Sequence, residues 1–219
     1  MGNKKVKEVK RLSEDDILHL CYISEFSREE ILFYYQSFIT DCPAGKLSKK
    51  DFQKMYEKIY PQNKSTKFSS RIFEVYDRNK DGYLDFEEFL RANKITTGND
   101  INEKLKMAFE IYDLKNDGVL DKNEMVETIS NIFTMAGIDK KNKSYKKLAE
   151  EKVDIIYRRF NLKKDNFLTL EEFIQCYLSD ENLKNILSAT FLEKKSFILQ
   201  QPKNYRELQL EAIQRVLSM

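Results

Sequence analysis

The sequence predicts an all-α protein of four helix–loop–helix units in two pairs, with short strands joining the loops and a helical C-terminal tail. Three observations carry this expectation. A twelve-residue loop bearing oxygen-rich side chains at alternate positions runs from Asp77 to Glu88, and weaker copies of it start at Thr40, Asp113 and Asn161. Aromatic residues stand four and one positions ahead of three of these loops: Phe73 and Tyr76, Phe109 and Tyr112, Tyr157 and Phe160. Leucine occupies position 8 in every copy, as Leu47, Leu84, Leu120 and Leu168, where two such loops pair edge to edge. Repetition of this kind marks units that bury their apolar faces only by packing on one another.

The elements follow in order. Residues 1–11 form a basic arm in which Lys4, Lys5, Lys7, Lys10 and Arg11 crowd together. Ser27-Arg-Glu-Glu30 is a capping box, a serine and a glutamate three residues apart that satisfy each other's backbone N–H groups, and it opens the first unit. The first loop has Cys42 and Pro43 at positions 3 and 4 and only Asp51 at position 12. Proline removes an amide and fixes φ, and aspartate is short for a two-oxygen contact, so this loop is expected to be structural.

The second loop is complete. Calcium is a hard cation that takes six to eight oxygens, and loops of this pattern supply them from positions 1, 3, 5, 7, 9 and 12. Asp77, Asn79 and Asp81 offer side-chain oxygens, Tyr83 its carbonyl, Asp85 an oxygen through water, and Glu88 both carboxylate oxygens. Gly82 at position 6 suits the sharp turn. Flanking helices, signalled by Ile72, Phe73 and Tyr76 before the loop and by Phe86, Phe89 and Leu90 after it, complete an EF-hand.

The third loop keeps Asp113, Asp117, the Val119 carbonyl, Asp121 and Glu124 but has Lys115 at position 3. An ammonium has no lone pair to give, so binding there is expected to be weakened but not abolished. In the fourth loop Asn161 replaces the first aspartate, Lys163 again stands at position 3, and Asn166 replaces the glycine. That loop is expected to be silent. The turn-rich Thr96–Asp100 divides a first pair, residues 12–95, from a second, residues 101–180. The tail, 181–219, has apolar residues at helical spacing (Leu183, Ile186, Leu187, Phe191, and Leu208, Ile213, Val216, Leu217).

Composition excludes several classes. With 38 basic and 36 acidic side chains the net charge is +2, too small for a dedicated nucleic-acid binder. A single histidine, His19, without a phosphate-cradling glycine loop or a nucleophile–base motif, leaves no basis for an enzyme. Cys21, Cys42 and Cys176 are odd in number and lack zinc spacing, which fits buried thiols in a reducing cytosol. No apolar run reaches the length of a membrane span or a secretory signal.

The chain resembles the neuronal calcium sensor family, the group of recoverin, frequenin and neurocalcin. The residues that carry the resemblance are Phe38-Ile-Thr-Asp-Cys42-Pro43-Ala-Gly45, Tyr60-Pro61, Thr66-Lys-Phe68, Phe73-Glu-Val-Tyr-Asp77 and Glu103-Lys-Leu-Lys-Met-Ala-Phe109, and the likeness covers residues 12–178. It implies an inactive first loop, a calcium-sensing role, and an N-terminal myristoyl group. Met1-Gly2-Asn-Lys-Lys fits that lipid signal at Gly2, whereas Val6 departs from its serine or threonine. Lys115 departs from the family's strong third loop, and the tail is longer than the family's usual ending.

Three readings stand at this stage. The first is a cytoplasmic calcium sensor, peripheral at the membrane if Gly2 is acylated, that exposes an apolar groove for an amphipathic helix of a target protein. The second is a constitutive regulatory subunit of an enzyme or channel, calcineurin B-like or channel-associated, in which calcium is structural. The third is a calcium buffer.

Overall fold

The computed structural model describes residues 11–59, 66–136, 145–162 and 166–179. Over these residues the chain is helical: α1 (Glu14–Ser24), α2 (Arg28–Asp41), α3 (Lys49–Ile59), α4 (Lys67–Tyr76), α5 (Phe86–Thr97), α6 (Ile101–Tyr112), α7 (Lys122–Ala136), α8 (Tyr145–Arg159) and α9 (Leu170–Ser179). Residues 1–10 of the basic arm, Gly2 among them, the lysine-rich segment 137–144, Lys163, Asp165 and the tail 181–219 lie outside the described residues.

The leucines at position 8 do what their recurrence predicts. Strand β1 (Leu47–Ser48) pairs antiparallel with β2 (Tyr83–Leu84), placing Leu47 opposite Leu84. Leu120 and Leu168 form the matching bridge of the second pair, each donating its N–H to the other's carbonyl at 2.9 Å. All four leucines are buried, so each short strand anchors its loop to the core from beneath.

Helix starts are set by side chains that take up the free N–H groups of the first turn. Ser13 and Asp16 form a capping box at α1, and Ser27 and Glu30 the expected one at α2. The same device recurs inside the loops. Positions 9 and 12 cap the outgoing helix in three of them, as Asp85 with Glu88, Asp121 with Glu124, and Thr169 with Glu172. In the first loop the Asp51 N–H donates to Ser48 Oγ at 3.2 Å, and that hydroxyl donates to the Asp51 carboxylate at 2.6 Å. A loop with threonine, cysteine and alanine at positions 1, 3 and 5 therefore still launches its helix.

In the first pair α2 and α5 meet through Phe38, Phe86 and Phe89, with ring centroids 5.2 to 6.0 Å apart, and Tyr35 sets its ring against Phe86 at 4.9 Å. Phe52 of α3 packs on Phe73 of α4 at 5.6 Å. The second pair is built on α7 against α8, with Phe173 of α9 between Phe109 and Tyr112 of α6. The two pairs share one continuous buried cluster, joined where α4 packs on α6 and α7 and where α5 packs on α6.

Most large apolar residues of the helices around the first two loops belong to this core. Ile31, Phe38, Phe52, Phe68, Ile72, Phe73, Tyr76, Phe86, Phe89 and Leu90 are buried, and Phe26, Tyr34 and Tyr35 are partly so. Helix α1 contributes Ile17 and Leu20 to the buried face and packs on both α2 and α5.

Candidate calcium sites

Loop 77–88 is wound around its own amides. Gly82 adopts φ +82° and Lys80 φ +59°, the left-handed turns that fold the loop back. Asp77 takes the N–H of Asp81 at 3.2 Å on one oxygen and that of Gly82 at 3.0 Å on the other. Asn79 Oδ1 accepts from the Asp81 N–H at 2.8 Å, and Asp81 Oδ1 from the Tyr83 N–H at 2.9 Å. Glu88 Oε1 receives the N–H groups of Arg78 and Asn79 at 2.9 and 3.1 Å, and its other oxygen receives that of Asp85 at 3.2 Å.

Asp77 and Glu88 are 5% and 6% exposed, and among the described residues neither has an ion-pair partner. Two buried carboxylates held by neutral donors alone are costly unless a cation balances them. Burial pushes the Glu88 carboxyl above its ordinary range, and the nearby Asp85 charge adds to this against the pull of the backbone N–H groups. A cleft lined by Asn79, Asp85 and Glu88 opens the loop to solvent. Among the described residues no three acidic, histidine or cysteine side chains are drawn together as a metal cluster, because here the carboxylates face amides. The donor set nonetheless fits a hard dication: carboxylates, one amide oxygen and one carbonyl, with lone pairs to spare. From the preceding loop Lys46 reaches Asp81 at 2.7 Å, and its hydrogen bond holds that carboxyl below the usual carboxylate range.

Loop 113–124 repeats the winding. Gly118 has φ +81°, Asp113 takes the N–H groups of Asp117 and Gly118 at 3.1 and 2.9 Å, and Asp117 takes that of Val119 at 3.2 Å. Asp113 and Glu124 are buried. The difference is Lys115, whose ammonium bonds Asp121 and lies 3.7 Å from Glu124. Burial works to raise the Asp121 carboxyl, but the Lys115 ammonium and the Glu124 N–H together hold it low.

Sequence reasoning missed Arg71 of α4. Its guanidinium donates to the carbonyls of Glu110, Ile111 and Asp113 and, at 3.0 Å, to Asn116 Oδ1, so a residue of the first pair caps α6 and the start of the third loop. Arg78, at position 2 of the second loop, adds an ion pair to Glu110 at 3.0 Å. No motif marks Arg71, since its partners stand some 40 residues away. His19, the chain's single histidine, is exposed and lies 3.2 Å from Glu87.

These loops define a calcium-binding EF-hand protein, and the comparisons agree. Residues 70–94 match a family model for an EF hand domain, and residues 102–189 one for an EF-hand domain pair. The chain belongs to the neuronal calcium sensor family. It is 35% identical to Neuronal calcium sensor 1 of Lymnaea stagnalis over 83% of this chain and 95% of that protein. It is 33% identical to Recoverin of Homo sapiens over 85% of this chain and 93% of the relative, and 33% identical to S-modulin of Aquarana catesbeiana over 85% and 92%. The chain thus binds calcium through EF-hands and belongs with calcium sensors, not with enzymes. No helix among the described residues is long and apolar enough to cross a membrane.

Proposed function

We propose that the chain is a calcium sensor in which loop 77–88 is the working site and the apolar face of the first pair is the output. The ligands are Asp77, Asn79, Asp81, Tyr83, Asp85 and Glu88, with Asp113, Asp117, Val119, Asp121 and Glu124 forming a weaker second set. The observation that carries this reading is the pair of buried carboxylates Asp77 and Glu88 at the two ends of one loop, neither of them ion-paired to a side chain among the described residues. Calcium supplies a dication that both could share. Glu88 lies in the first turn of α5, the helix that also bears Phe86 and Phe89. A change in the set of Glu88 therefore acts on the Phe38–Phe86–Phe89 contact, and loosening that contact bares aromatic surface suited to an amphipathic helix of a target protein.

In the same reading the protein works in the cytoplasm. Gly2 carries a myristoyl chain and the neighbouring lysines supply the second, electrostatic membrane signal that a single acyl chain needs. Mass spectrometry after co-expression with an N-myristoyltransferase decides that point.

The rival reading, a constitutive subunit, draws on Glu88 already being bonded to the Arg78 and Asn79 amides. Fluorescence of an apolar dye separates the two. A sensor gives a calcium-dependent rise that Glu88→Gln removes, whereas equal fluorescence in calcium and in chelator would leave only the constitutive reading or the buffer.

A further inference from the structure

Loop 113–124 differs from loop 77–88 in holding a cation of its own. The Lys115 N–H donates to Glu124 Oε1 at 3.0 Å, while the ammonium of the same residue bonds Asp121 and stands 3.7 Å from the other Glu124 oxygen. Asp121 and Glu124 are further tied by their reciprocal capping bonds of 3.0 and 2.8 Å. One residue thus clamps positions 9 and 12 of the loop from the backbone and from the side chain. At the equivalent place in the second loop stands Asn79, which is neutral; its N–H reaches Glu88, but among the described residues no ammonium does. At the entry of the third loop Arg71 fixes Asp113 and Asn116.

We propose that Lys115 is a built-in counter-cation that holds loop 113–124 closed in the calcium-free protein and competes with calcium for Asp121 and Glu124. This rests on reading the segment as a calcium loop. Its consequence is a division of labour: the second pair keeps its shape at low calcium, and the first pair does the sensing. The physical basis is linkage. A contact made only in the calcium-free form stabilises that form and weakens binding by the same factor. Removing the ammonium must therefore move two quantities in opposite directions, which a lysine pointing away from the loop would not do.

The test uses the full chain with Glu88→Gln, so that the third loop is read without the second. Adding Lys115→Met should lower the melting midpoint in chelator by about 2 °C and raise calcium affinity in calorimetry up to roughly fivefold, the upper end of what exposed ion pairs control. Lys115→Gln should repeat both shifts, which guards against poor folding of the methionine variant. Lys115→Arg, which keeps the charge, should show neither, and Lys106→Met, which removes an exposed charge elsewhere, should also leave both unchanged. An unchanged midpoint, or an affinity that stays level or falls, would overturn the counter-cation. If neither the parent nor a Lys115→Asp variant bound calcium, the reading of the loop as a calcium site would fail, and the proposal with it.

Discussion

At the scale of single residues, the chemistry of the second loop depends on where it lets the chain turn. Gly82 sits at φ +82° with no atom within 4 Å of where a Cβ would be, so a side chain there meets no neighbour and only the backbone objects. Left-handed conformation costs an L-residue roughly 1–2 kcal/mol. Gly82→Ala should lower stability by that amount in urea denaturation of the calcium-free protein. An unchanged midpoint would mean that the turn relaxes. The thiols make a second test at this scale. Burial pushes Cys42 up to about 11 and Cys176 up to about 12, whereas Cys21 is partly exposed. At pH 8 only Cys21 should react quickly with a thiol reagent, with all three of the chain's cysteines reacting in denaturant. Since the fold favours both buried thiols in their protonated form, it should lose stability as pH rises past the ordinary thiol value of about 8.5. Rapid labelling of Cys176 in the native protein would contradict its burial.

Elements are joined here by devices of unequal visibility in the sequence. The pairing of loops was legible, because the leucine at position 8 recurs and two edges need each other's hydrogen bonds; Leu47 opposite Leu84 and Leu120 opposite Leu168 follow from it. The capping box at Ser27 was legible for the same local reason. The capping duty of Asp85 with Glu88, and of Asp121 with Glu124, was hidden beneath their ligand pattern. Arg71 was not legible at all. Its effect depends on α4 crossing α6, which no local signal announces. Bonds to a charged group contribute about 1.5–3 kcal/mol, and the Arg71 side chain is only 11% exposed. Arg71→Leu should cost on the order of 2–3 kcal/mol in chemical denaturation, because it strands the acceptors on α6 and its following loop. A loss below about 0.5 kcal/mol, the level of an ordinary surface change, would show that water takes over the clamp.

For the whole molecule, the helical EF-hand fold could be read from the repeated loop pattern, position by position. What could not be read was how the pairs meet. The described residues share one core, so the first pair's response is made against a neighbour tied to it through Arg71 and the Arg78–Glu110 ion pair. Nor could the sequence separate groove from core. The same aromatic residues serve either role, and burial of Phe38, Phe86 and Phe89 assigns them to the core in this conformation. One calcium ion should control whether they stay there. Loop 77–88 should be the tight site, and calorimetric titration of the wild-type chain beside Glu88→Gln checks this. The wild type should bind one ion in the sensor range, about 10⁻⁷–10⁻⁵ M, and a second more weakly, with Glu88→Gln losing the tighter event alone. Retention of the first ion at wild-type strength in Glu88→Gln would contradict the assignment.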